Sequence, residues 1–407
     1  MAFMPPWLPA LAGRTSLFVA LGMSMQIPKE IVTAGPAPAG PYSPAVKAGG
    51  LIYLSGTLAQ DGTGAIVGKG DAGQQTRRVL DRLRDVLAAA GSSLEQVVSA
   101  TVYLKSQADF AAMNDAYRTY WPKEPPTRTT IVTDLVLADA LVEISMIAVP
   151  NGAERTIVHP QTWIKSPNPY SYAIRTGDTL FLAGLVSRNG RDNTPVAGDV
   201  AAQTKVVLDN AGDLLKAGGM THADVVSARV YLPDVASFQQ MNEAYRGYFS
   251  SAPPARATIK AGLATNQHAV EITLVASSAP REVIQDGRPV NPNLSAAIRA
   301  GNRVYLSGML GNTPETKGDV AAQTRETLAR IRQALRAAGC TPADVVDSLV
   351  YLTDAANFGA MNDAYRPFFT TAFPARATVQ SGLVAPDGLV EIMVTAERGA
   401  GASSPSR

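Results

Sequence analysis

Cysteine is nearly absent. Cys340 stands alone among 407 residues, which excludes an intramolecular disulfide framework. Set in "AAGCTPAD" after a helix, it reads as a structural thiol, not a nucleophile. Histidine is scarce too. His159, His222 and His268 occupy unrelated contexts, so a His-rich metal site, or a histidine acid-base carried by every copy of a repeat, is excluded by counting. Neither sign of charge dominates: 36 Lys plus Arg against 34 Asp plus Glu leave a net +2, with no reason to expect a phosphate backbone as partner. Aromatics at 6% are few for base-stacking platforms.

Long apolar runs are missing as well. The stretch Leu17–Leu21 is far short of the ~20 residues that span a bilayer, so no membrane partner is expected. The opening, with Pro5, Pro6 and Pro9, weak positive charge and no A-x-A site, reads as a disordered extension over 1–26 rather than a signal peptide. Its expected location is cytoplasmic, the secreted or periplasmic compartments being reserved for the case in which that segment is a signal. The run "GAIVGKG" at 64–70 fails as a P-loop, with one spacer too few and Gly70 where Ser or Thr is needed. Nothing calls for a nucleotide, flavin, metal or other cofactor.

What is present is repetition. "FAAMNDAYRTYW" at 110, "FQQMNEAYRGYF" at 238 and "FGAMNDAYRPFF" at 358 align without gaps. "PTRTT", "PARAT" and "PARAT" carry Arg128, Arg256 and Arg376, each followed at the same fifteen-residue separation by Glu143, Glu271 and Glu391. "IYLSGTL", "LFLAGLV" and "VYLSGML" form a third set, and "QQTRRVL", "AQTKVVL" and "AQTRETL" a fourth. These are whole duplicated domains, not short solenoid repeats. They divide the chain into domains 27–150, 151–279 and 280–398, with a disordered tail at 399–407. Hydrophobic residues at 46% against 17% charged supply globular cores.

Within one unit, "AVKAGGLIYLSG" has a glycine pair between two β-prone stretches and reads as a hairpin or a bulged strand. Val79, Leu80, Leu83, Val86 and Leu87 fall at helical spacing in a segment that starts on Asp71 and stops at Gly91. "VVSATVYLKS" returns as a strand, "DFAAMNDAYRTYW" is a shorter helix ended by Pro122, and "RTTIVTDL" and "LVEISMIAV" are two further strands. The order ββ(β)αβαββ gives an α+β unit, one mixed sheet with two helices on a single face. The open faces of three such sheets can bury one another.

The run "PPARATI" with "VEI" near the end of the unit resembles the signature of the RidA (YjgF) family of enamine/imine deaminases, over about residues 27–398. The resemblance implies chorismate-mutase-like domains, normally a homotrimer, here an intramolecular pseudo-trimer of one monomeric chain around a barrel-like core, with ligand clefts between neighbours. It also implies activity on a 2-iminobutanoate/2-iminopropanoate type of substrate. Arg128, Arg256 and Arg376 match the position that grips the substrate carboxylate, for which a planar fork of donors suits. Glu143, Glu271 and Glu391 match the catalytic glutamate, which would position water. A nearby arginine is expected to hold its pKa down. Tyr42 and Tyr170, Ser55 and Gly56, Gly184, Ser307 and Gly308, and Asn114, Asn242 and Asn362 fill further substrate-binding positions. Thr130, Thr258 and Thr378 stand where many relatives carry cysteine, so their backbone carbonyls and not a thiol would serve. Ala183 replaces the serine in unit two, and Leu294 stands where Tyr170 does, so the clefts are expected to be unequal.

Blander readings stand beside these. Each Arg-Glu set could be an ion pair on adjacent strands, and Met113, Met241 and Met361 with Tyr117, Tyr245 and Tyr365, at i,i+4 on a helix, read as core. The family resemblance also leaves a non-catalytic carboxylate-binding or chaperone-like role and a ribonuclease or translation-inhibitor role as alternatives.

Overall fold

A computed structural model describes residues 1–2, 28–369 and 372–401. The N-terminal extension expected at 1–26 therefore lies almost wholly outside the described residues, as does 402–407 of the expected tail. Each repeat builds the same unit. In the first, strands Ala45–Ala48 and Leu51–Leu58 form a hairpin whose turn residues Gly49 and Gly50 have φ of 55° and 77°. Side chains are strongly disfavoured there, which is why the glycine pair marks the turn. Helix Ala72–Ala89 starts where the Asp71 carboxylate accepts the N–H of Gln74, an N-cap that satisfies one of the orphan donors of the first turn. Its buried stripe is Val79, Leu80, Leu83 and Leu87. Strand Val97–Leu104, helix Phe110–Tyr120, strand Thr127–Val132 and strand Val142–Ala148 follow.

The sheet runs Glu30–Val32, Ala45–Ala48, Leu51–Leu58, Val142–Ala148, Val97–Leu104, Thr127–Val132. The arginine strand Thr127–Val132 pairs parallel to Val97–Leu104, and the other pairings are antiparallel. Both helices pack on one face. Three separate cores of this kind, one per repeat, hold the helices to their sheets. Along Val97–Leu104 the side chains alternate, so Ala100, Val102 and Leu104 point to the helix layer while Tyr103 enters a fourth core. That core draws on all three repeats, with Tyr103, Tyr231 and Tyr351 joined by Ile131, Ile259 and Val379. It buries the three open faces against one another and is the barrel-like centre of the molecule.

The repeats are stitched in a ring. "RTTIVTDL" is not one strand: after Val132 the chain turns, and Asp134–Leu135 pairs with the arginine strand of the third repeat. Gly262–Leu263 does the same for the first repeat, and Gly382–Leu383 for the second. The expected disordered tail is corrected at its start. Residues 399–401 form a turn in which Ala400 is buried, its carbonyl accepts the N–H of Lys29, and the Gly401 N–H reaches Asp344. The Lys29 ammonium in turn donates to the carbonyls of Val345 and Ala372. The start of the first repeat and the end of the third thus fasten each other, which orders a segment too short and glycine-rich to order itself. Among the described residues no helix is long and apolar enough to cross a membrane.

Candidate active site

Arginine and glutamate of one repeat do not meet. The strand Val97–Leu104 separates their two strands, so the adjacent-strand ion pair is ruled out by topology. Each arginine faces the glutamate of the next repeat in the ring: Arg128 is coupled electrostatically to Glu271, Arg256 to Glu391 and Arg376 to Glu143. The three sites are seams between repeats.

Each arginine is sunk in its seam, exposed by only 4%, 2% and 2% for Arg128, Arg256 and Arg376. A repeated cradle holds it. Nη2 donates to the Oδ1 of Asn114 (2.7 Å), Asn242 (2.7 Å) or Asn362 (2.8 Å). The guanidinium carbon lies 4.9, 4.7 and 4.9 Å from the ring centres of Tyr117, Tyr245 and Tyr365, with Phe110, Phe238 and Phe358 about 6 Å away on the same helix. A cation over aromatic faces is stabilised in a place where water cannot solvate it. The tyrosines belong to the helix-side cores, as the core reading expects, and their ring faces serve the arginines as well. The signal was present: the helix segment repeats these tyrosines together with the asparagine. No carboxylate neutralises the cations within ion-pair distance among the described residues, and Nε and Nη1 of both Arg256 and Arg376 are buried without a partner. Buried donors left unmade are costly, so the arrangement demands an acceptor.

The neighbouring repeat supplies the opposite wall. Ser43, Ser171 and Ser295 each donate a 2.6 Å hydrogen bond to a carbonyl in the loop before the arginine strand of the preceding repeat, Phe373, Pro125 and Pro253 respectively. This fixes the register, so the residue just before each serine enters the seam. At two seams it is a tyrosine: Tyr42 lies 5.2 Å from the Arg376 guanidinium and Tyr170 5.7 Å from that of Arg128. Leu294 takes that position in the seam of Arg256 and lines, with Ser307 and Gly308, a cavity of about 480 Å³. Ser55 and Ser307 spend their hydroxyls on the backbone, accepting the N–H of Arg376 and Arg256 at 2.8 Å and donating to Ser43 and Ser295. They position the arginine strand, and Ala183 cannot do so for Arg128.

The glutamates sit against Gly56, Gly184 and Gly308. A Cβ at any of these would lie 1.9 Å from the carboxyl Oε1 of Glu143, Glu271 or Glu391, which no side chain tolerates. Burial pushes the three carboxyls up to about 8, against the pull of Arg376, Arg128 and Arg256 respectively. This corrects the expectation that the arginine holds the pKa down: the carboxyls are 3–4% exposed, and desolvation outweighs the attraction. The glutamate is thus poised to carry a proton near neutral pH. Thr130, Thr258 and Thr378 lie two residues beyond each arginine, their hydroxyls buried without partners, and the Thr378 and Thr130 backbones face Glu143 and Glu271.

Comparison with known proteins places this geometry in context. The family model described as Endoribonuclease L-PSP matches three times, over residues 32–150, 161–278 and 287–398. A 3-aminoacrylate deaminase, RutC, of Acinetobacter baylyi is 41% identical over 124 residues, 30% of this chain and 98% of that protein. A RutC family protein of Pyrococcus horikoshii is 43% identical over 123 residues, 30% of this chain and 97% of its own length. The crystal structure of a chorismatase superposes with a TM-score of 0.51 at 15% identity, covering 74% of this chain and 93% of its own, a likeness of fold.

Proposed function

The chain belongs to the Endoribonuclease L-PSP family, the RidA/YjgF group its sequence resembles, and from that premise we propose that its seams are cofactor-free deaminase clefts for small 2-enamino or 2-imino acids. The arginine clasps the substrate carboxylate through the donors that the fold leaves unmade. That unmet, unneutralised guanidinium opposite a protonated carboxyl is the observation that carries the reading. The glutamic acid donates its proton to the enamine carbon or imine nitrogen. As a carboxylate it then takes a proton from water as the oxygen attacks the C=N carbon. The resulting carbinolamine expels ammonia and leaves the 2-oxo acid, so the glutamate ends as it began. The similarity to a 3-aminoacrylate deaminase over one repeat supports an enamine of this class, with 2-iminopropanoate and 2-iminobutanoate as the simplest substrates.

Ammonia release from imines generated in situ by an amino-acid oxidase tests this. The full chain is expected to accelerate release, and the Arg128→Ala/Arg256→Ala/Arg376→Ala variant to lose it. Carboxylate binding without ammonia release would favour a purely binding role. RNA cleavage that survived loss of all three arginines would favour a nuclease; the sunken guanidinium speaks against it, since a polymer's phosphates cannot reach so deep.

A further inference from the structure

The seam between the third and first repeats differs from the other two in its outer half. Its cavity, about 620 Å³, is lined at one end by Tyr42, Ser55, Gly56 and Phe358 and at the other by Arg78 and Arg82 on the first helix of repeat one; Arg376 lies behind the first wall, 5.2 and 5.8 Å from the Tyr42 and Phe358 ring centres, with its main-chain N–H on the Ser55 hydroxyl. A three-carbon acid fills only a fraction of such a space. Both arginines are half-buried. Their donors go to main-chain or amide oxygens, Arg78 Nε to the Gln60 carbonyl at 2.9 Å and Arg82 Nη1 to the Leu58 carbonyl at 2.5 Å and the Gln60 side chain at 3.3 Å. Neither makes an ion pair among the described residues. Asp61 and Asp85 also reach the cavity, but Asp61 is tied into its own turn by Thr63 and Ala65, and Asp85 is exposed. Burial and the Arg78 charge both disfavour the Arg82 cation. Two like charges on one wall, with no carboxylate in ion-pair contact among the described residues, leave room for a bound one.

The other repeats do not keep this pair. In helix register, Val206 and Asn210 stand in the second repeat. The third has Glu326 and Arg330, and there the glutamate neutralises the arginine at 2.8 Å.

We propose that the seam formed by Arg376, Tyr42 and Glu143 takes a dicarboxylic substrate, its first carboxylate on Arg376 and its second on Arg78 and Arg82. The substrate class is then the imine or enamine of an acidic amino acid. This rests on the deaminase reading for the chemistry, but its binding claim is separable. Titration calorimetry of the full chain with succinate, glutarate and adipate, against butyrate, pentanoate and hexanoate, reads it directly. At least one diacid is expected to bind a single site per chain more than tenfold tighter than the monoacid of equal length. Arg78→Gln/Arg82→Gln should erase that advantage. Because both side chains also tie down main chain, the reciprocal Val206→Arg/Asn210→Arg variant provides a gain: a second tight diacid site. Diacids that bind no tighter than monoacids, or an advantage that survives loss of both arginines, would overturn the proposal. A chain that binds the diacid with this preference yet releases no ammonia from the matching imine would overturn the deaminase reading alone.

Discussion

At the scale of single residues, burial and charge compete on the glutamates, and burial wins. The sign follows from the carboxyl holding its proton to about 8 in the fold but only to about 4.3 in an unfolded chain. Between those values the native state binds more protons than the unfolded one, so stability falls as pH rises through this window and levels above it. Denaturant midpoints from pH 4 to 9 should show that slope, flattened in Glu143→Gln/Glu271→Gln/Glu391→Gln. Turnover, if the acid form acts first, should fall as pH rises through about 8. The contact between Gly184 and Glu271 gives a second expectation. Gly184→Ala must displace the carboxyl, at a cost of about 1–3 kcal/mol in stability and with loss of turnover in that seam. The arginine and glutamate themselves were legible as threefold repeated letters. Their pKa direction was not, because a neighbouring charge can be inferred from a motif whereas depth of burial depends on a seam between distant segments. Leu294→Tyr should restore the missing ring beside Arg256 and raise the contribution of that seam, measured as an increase in total ammonia release.

At the scale of elements, the arginine strand pairs along its length with its own sheet and at its end with a two-residue strand of a neighbouring repeat. A latch stands behind the glutamate strand. Gln75, Gln203 and Gln323 each donate from Nε2 to a loop carbonyl, of Asp139, Gln267 or Asp387, and accept through Oε1 the N–H of Leu141, Ala269 or Leu389 just before that strand. All three are at most 4% exposed. Replacing Gln203 by Leu removes its bonds to three backbone groups, the Gly198 and Gln267 carbonyls and the Ala269 N–H, and should cost about 2–4 kcal/mol, read from the denaturation midpoint. The sequence showed these glutamines only as part of a repeated helix start, since a glutamine there reads as surface until its loop is in place. The hairpin, both helices and the strand that follows each were legible from glycine pairs, an aspartate cap and apolar spacing. The two-residue strands at 134–135, 262–263 and 382–383 were not: they are too short for a periodic pattern and acquire their identity from a strand in another repeat.

At the scale of the whole molecule, three repeats in one chain let each seam change on its own. Leu294, Ala183 and the Arg78–Arg82 pair are such changes, and a homotrimer would have had to make each of them three times. Sharing of edge strands and of the fourth core also couples the repeats, because no unit completes its sheet or buries its open face alone. The central claim is that every working cleft takes its arginine from one repeat and its glutamate from the next. Ammonia release by two double variants tests it most directly. Arg376→Ala/Glu143→Gln removes residues of different repeats from one seam and should keep the turnover of Arg376→Ala alone. Arg128→Ala/Glu143→Gln removes residues of a single repeat from two seams and should leave only the weak contribution of the Leu294 seam. The opposite ranking, with the same-repeat pair behaving as one site and the cross-repeat pair as two, would contradict it.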